Sequence, residues 1–324
     1  MARKEVATNP LELDLTKVVV TLVQTRVYSN GLQQAEVRID LESTHGGKPS
    51  DLTPREIVSI RLFDYHDQKS GDIPFSDDGS RTYRGWFAQH DYRGFVSQPI
   101  PPGTPPRALQ SYIFYLSANA EATETLDVAL AITGDDLSIW RTNGKCTIEG
   151  IEQPKPPLDN RLRTITADPP ESYPADAYNL DQRPLQQNTI AGVFNRIYAV
   201  SIRLADQTTL GIRSLTLNPP GMIHWKDKIN WIRQPCYIGY VQTGETEIHW
   251  HDAMAGHHGS LPPPTHIPKP ELTGVVVMCG RVDIPSWPGA PEESVEMTIL
   301  DAHGSTQIRH LIFVDGELDE LKVT

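Results

Sequence analysis

His249 and His251 stand two residues apart around Trp250, with Asp252 next in the chain and His257 and His258 close behind. On an extended strand the first two imidazoles would project from one face, because side chains alternate across a strand. His257 or His258 folding back would add a third nitrogen, and Asp252 would add an oxygen ligand or orient a ring. Such a donor set suits zinc, iron or manganese. Catalysis would also need an open coordination position beside a substrate pocket. The spacing does not form His-Glu-x-x-His. A divalent-metal site at His249, His251, Asp252, His257 and His258 therefore stands against a simpler reading, a polar histidine-rich loop, and no cofactor is favoured. The chain also lacks Gly-x-Ser-x-Gly and a phosphate-binding Gly-x-x-x-x-Gly-Lys-Ser/Thr, so no catalytic residue is identified.

Two other groups carry potential chemistry. Trp86, Tyr92, Trp225 and Trp231 are candidate ligand contacts, since aromatic rings with nearby arginines recur at recognition surfaces. Burial in a core is the competing role for each. The stretch from Asp64 to Arg84 holds Asp64, Asp67, Asp72, Asp77 and Asp78 with Gly71 and Gly79 between them. Clustered carboxylates invite calcium, but the spacing is not that of an EF-hand loop, and a solvated surface loop is the plainer expectation.

Charge narrows the partners. A formal net charge of -12 disfavours a nucleic-acid backbone as main partner, because phosphate binding needs concentrated positive charge. No apolar stretch reaches the length of a membrane span. The basic start, Met1 to Ala7, has no apolar signal core, so synthesis in the cytoplasm is expected, with an assembled particle or non-classical export as later destinations. Cys146, Cys236 and Cys279 are too dispersed for a disulfide scaffold or a Cys-x-x-Cys site. Free thiols are expected, with one disulfide and a spare thiol as the alternative.

The elements that must hold these groups read as strands. Val18 to Val23 is a β-branched run, Asn30-Gly31 suits a tight hairpin turn, and Ala35, Val37, Ile39 and Leu41 then alternate with Gln34, Glu36, Arg38 and Asp40. Leu126, Val128, Leu130 and Ile132 repeat that pattern. Ile57 to Phe63 reads as a strand after a short capped turn at Thr53-Pro54-Arg55-Glu56. Tyr237 to Val241 and Thr246 to Trp250 are expected to pair around Thr243-Gly244. No long amphipathic helix is visible. Prolines between Pro154 and Pro174 mark a linker in which a regular central strand is not expected.

The expected fold is all-β, with antiparallel β-sandwich-like domains and long irregular connections: an arm over 1–14, a β-rich domain over 15–164 and a second over 165–324. The favoured role is structural interaction or assembly, with self or another protein subunit as partner. A homo-oligomeric particle component, such as a virion protein, is one setting. A carbohydrate- or protein-binding module and a metal-dependent hydrolase centred on the histidine-rich loop are the alternatives.

Overall fold

Alternation of apolar and polar residues along β3 (Ala35–His45) organises the first half of the chain. A computed structural model describes residues 13–67, 71–95, 110–148, 151–154, 162–186, 194–218, 222–226, 233–250, 263–280, 294–314 and 320–324. They divide into two units, Met1–Pro170 and Glu171–Thr324.

In the first unit, β3 lies between β1 (Leu13–Leu22) and β7 (Gln110–Ala118), with β6 (Trp86–Gln89) beyond β7 and the short β4 (Lys48–Pro49) at the end of β3. The second sheet comprises β2 (Arg26–Tyr28), β5 (Arg61–Asp64), β8 (Thr125–Thr133), β9 (Ile139–Arg141), β10 (Lys145–Ile148), β11 (Ile151–Pro154) and β12 (Thr164–Asp168). Pairing is antiparallel except between β12 and β2. One core draws Val37, Ile39, Leu41 and Leu116 from the first sheet and Leu126, Val128, Leu130 and Ile132 from the second.

Several local outcomes differ from the sequence reading, each for a physical reason. Asn30-Gly31 does not close a tight hairpin, because β1 pairs with β3 from Leu22↔Val37 outward while the chain between them crosses to the second sheet as β2. Gly31 still takes a positive φ of 74°, and the Asn30 side chain accepts the Leu32 and Gln33 N–H groups. The strand expected from Ile57 begins at Arg61, because Thr53 and Glu56 close a reciprocal capping box and carry helix α1 (Pro54–Val58) onward. Within the presumed linker, β12 pairs with β8 on one side and β2 on the other, so the prolines flank a regular strand.

The polar face of β3 is buried as well. Gln34 Nε2 donates to Gln89 Oε1 at 2.7 Å, Arg93 N–H donates to Gln34 Oε1 at 2.6 Å, and Arg38 meets Glu36 at 2.8 Å. Ser111 donates to Asp40. This follows from the cost of burying polar groups without partners.

In the second unit, β13 (Tyr178–Gln186), β14 (Phe194–Arg203), β15 (Thr209–Leu210), β17 (Met222–Lys226), β18 (Arg233–Val241) and β19 (Val275–Gly280) form one antiparallel sheet. The facing sheet runs β16 (Ile212–Asn218), β20 (Val295–Asp301), β21 (Thr306–Phe313) and β22 (Leu321–Val323). Tyr198, Val200, Ile238, Val276 and Met278 meet Leu215, Met297, Ile299 and Leu311 in the core. All three cysteines are buried thiols. Cys236 opposes Gly280 and Cys279 opposes Tyr237, a one-residue offset that puts their side chains on opposite faces of the sheet.

Trp86 lies in the first core with no exposed surface. Replacing it with alanine removes a large buried ring, and the expected cost is about 3–5 kcal/mol. The change should appear as a lower urea midpoint with an unchanged slope.

Candidate functional site

The stem of the histidine-rich segment is well ordered around glycine. After β18 the chain turns at Gly244, whose φ is +79°, and runs back so that His249 pairs with Tyr240. A second short ladder joins Glu247 to His266: Ile248 N–H donates to the Thr265 carbonyl at 2.9 Å and Ile267 N–H to that of Thr246 at 2.8 Å. Ile248 and Ile267 thereby cover the outer face of the large sheet, over Ile197, Val241, Val275 and Val277. Trp250 packs over Gly239, where an added Cβ would fall 2.7 Å from the indole, and its Nε1–H donates to the Pro264 carbonyl at 2.7 Å.

His249 stacks on Tyr240 with ring centroids 5.0 Å apart, and its Nε2 lies 3.6 Å from Glu245 Oε2. His251, Asp252, His257 and His258 lie outside the described residues. Among the described residues no group of three or more His, Cys, Asp or Glu side chains is gathered to hold a metal ion. Among the described residues His249 thus meets one aromatic ring and one carboxylate.

The aromatic candidates separate. Trp86 does not form a ligand contact surface: it is a core residue whose indole N–H donates to the Thr123 carbonyl and hydroxyl, both at 3.2 Å. Tyr92 is 45% exposed and lies 5.5 Å from the Tyr115 ring, which leaves part of its face available. The backbone of Trp225 belongs to β17, and Trp231 lies outside the described residues.

The carboxylates of Asp64, Asp67, Asp72 and Asp78 in the acidic excursion meet protein donors. Tyr83 Oη donates to Asp64 at 3.1 Å and to Asp67 at 3.0 Å, and Arg84 reaches Asp64 at 3.3 Å. Burial first, and then these two carboxylates, raise the Tyr83 phenol above its ordinary value. Asp72 pairs with Arg61 at 3.0 Å. Asp78 accepts the Ser80 N–H and the Ser76 hydroxyl, each at 3.0 Å, and hydrogen bonding from Ser80 and Ser76 lowers its pKa to about 2. These contacts organise the turn.

A further constellation sits at the end of β3, built from residues to which the sequence attached no chemistry. Gly46 and Gly47 take φ values of 58° and 78°, the signature of a two-residue turn that matches strand twist. That turn pairs β3 with β4 through His45↔Lys48 and returns Ser50 beside Ser43, with Ser50 N–H donating to the Ser43 carbonyl at 3.1 Å. The His45 Nδ1 contacts Ser50 Oγ, and its Nε2 lies 3.0 Å from both oxygens of Glu56. Glu56 is fully buried and also accepts the N–H groups of Thr53 at 2.8 Å and Asp135 at 3.3 Å. The capping box was legible as Thr53-x-x-Glu56. Its meeting with His45 depends on the approach of α1 to the end of β3, for which local spacing carries no signal. In the second unit, a cleft of about 740 Å³ lies among Tyr173, Pro174, Arg203, Leu204 and Asp206.

No helix among the described residues is long and apolar enough to cross a membrane. No protein-family model matches the chain. No curated protein matches it. Among solved structures, the collagen binding domain of the Erysipelothrix rhusiopathiae surface protein RspB is aligned over 96% of this chain and 92% of its own, at 10% identity and a TM-score of 0.20. At that score the likeness carries no argument about fold or function.

Two outcomes test this geometry. Gly239→Ala should lift Trp250 from its seat, so that the Ile248, His249 and Ile267 amides exchange hydrogen faster while those of β19 stay protected. Asp78 should titrate near pH 2 in carboxyl-detected NMR. Because its folded pKa lies below the ordinary 3.8, its stabilising contribution is present above 3.8 and is lost as pH falls through about 2. Asp78→Asn should abolish that acid limb.

Proposed function

We propose that the protein acts in structural interaction or assembly, receiving a strand from another copy or another subunit along the outer edge of β1. The observation that carries this reading is the one-sided pairing of β1, a ten-residue strand joined only to β3 among the described residues. Val23 N–H donates to the Glu36 carbonyl, in the same register that pairs Thr21 with Arg38 and Val19 with Asp40. From Lys17 to Val23, beyond the register shift at Leu15, odd-numbered residues therefore direct their backbone groups to β3, and Val18, Val20 and Leu22 direct theirs outward. Arg163 already donates to the Val20 carbonyl, so the groups proposed for strand addition are those of Val18 and Leu22.

Composition and shape agree with strand addition. From Val18 to Leu22 the edge carries no charge and no proline. A groove of about 450 Å³ lies beside it, walled by Val19, Thr21, Leu22, Leu162, Arg163 and Thr164. The edge strand β13 is different: it contains Pro184 and an Asp181–Arg183–Glu271 charge network, features that discourage strand pairing. Added backbone hydrogen bonds would supply affinity at β1, and the groove would select side chains. Residues 1–12, which lead into this strand, are proposed as an arm that contributes to the same contact.

Native mass spectrometry of the whole chain should show a defined oligomer. Val19→Lys with Thr21→Lys places charge on the edge without entering the core and should reduce that oligomer to monomer, with an unchanged circular dichroism spectrum. A chain lacking residues 1–12 tests the arm separately. An oligomer indifferent to the lysines would overturn the edge contact, and a monomeric starting protein would overturn self-assembly.

A further inference from the structure

We propose that Ser50 is a nucleophile activated by His45, giving the first unit an acyl-transfer activity towards esters that carry positive charge near the carbonyl. This goes beyond an assembly role and does not depend on it. The alignment of the groups carries the inference. Glu56 presents both carboxylate oxygens to His45 Nε2 at 3.0 Å, a contact that needs the proton on Nε2. The lone pair of neutral His45 is then on Nδ1, the atom in contact with Ser50 Oγ. The serine hydroxyl therefore faces an acceptor and can lose its proton to it.

Access and rigidity are unequally distributed, as such chemistry requires. Glu56 is fully buried and held by the capping box, the His45 side chain is 11% exposed, and Ser50 is exposed. Ser50 lines a cleft of about 520 Å³ together with Ser43, Thr44, Glu42, Asp51 and Gln110. Its described walls include Asp51, which accepts from Gln110 at 2.7 Å, and Glu42, which lies 3.9 Å from Lys17, and no cationic side chain, which favours a positively charged substrate. The Asp51 N–H, one residue after the nucleophile, has no hydrogen-bond partner among the described residues, and that position commonly supplies a donor to the developing oxyanion.

The reaction balances with water as the only co-reactant. Ser50 Oγ forms a bond to the carbonyl carbon while its proton passes to His45 Nδ1. The bond to the leaving alkoxide breaks, and His45 returns that proton to it. Water, deprotonated by His45, then attacks the acyl-serine, and the released serine oxygen recovers the proton. Glu56 is a positioning residue in this scheme.

The test uses the full chain with p-nitrophenyl 4-guanidinobenzoate, a cationic ester whose acyl group is slow to leave serine, and with a fluorophosphonate probe. The expected result is a burst of p-nitrophenol near one equivalent per chain, with the acyl mass mapped to Ser50. p-Nitrophenyl acetate should react more slowly. Ser50→Ala and His45→Gln should lower the burst rate by about 10³-fold or more while keeping the circular dichroism spectrum. Glu56→Gln preserves a residue type that suits the cap, and it should alter the pH profile of the burst, which loss of a purely structural contact would not do. A folded chain with no adduct at Ser50 from either probe, or a burst unchanged in Ser50→Ala, would overturn the proposal.

Discussion

Burial of β3 on both faces is the constraint on which the first unit depends. Its apolar residues enter the core, and its polar residues must find partners under cover because an unpaired polar group there is costly. Gln34, Gln89, Glu36 and Arg38 satisfy that demand among themselves and with Arg93. The same strand ends at His45, which places the imidazole at its far end. A turn requiring two left-handed glycines then fixes where Ser50 returns, and the cap of α1 fixes Glu56. Two of these devices end on β3 itself, while α1 is tied to the end of β8 through Ser59–Thr133 and Glu56–Asp135.

The second unit solves a related problem differently. Its larger sheet packs one face into the core between the sheets and covers the other with Ile248, Ile267 and Trp250. Gly239 makes this possible, since any side chain there would collide with the indole. The Trp250–Pro264 hydrogen bond and the Ile248–Thr265 and Ile267–Thr246 backbone bonds close the stem. Asp301 shows a tension left inside the unit: burial pushes its carboxyl upward in pKa, while backbone donors from Ser305 and His303 oppose the shift.

Among the described residues much of the polar chemistry stabilises turns and buried strands, and two places face outward in ways the proposals use. The β1 edge offers backbone groups beside a groove, and Ser50 opens onto a cleft. These are different kinds of surface. One presents backbone groups along a strand edge, and the other presents a serine hydroxyl in contact with an imidazole. Both can exist on one sandwich because they lie on different segments, the free side of β1 and the far end of β3.

The all-β, sandwich-like class was legible because period-two alternation is local: Val37, Ile39 and Leu41, or Val128, Leu130 and Ile132, need only their neighbours to declare a face. The capping box at Thr53 and Glu56 and the turns at Gly244 and Asp301–Ser305 were legible for the same reason. What each face or side chain meets was not. Gln34 and Glu36 were read only as opposite the apolar face and lie buried in a polar network, and Trp86, read as either a ligand contact or a core residue, belongs to the core. The crossing of β2, the pairing of β12 and the meeting of His45, Ser50 and Glu56 were decided only by tertiary structure. Each depends on strands and loops distant in sequence, and hydrogen-bond partners across such distances leave no periodic trace in the chain.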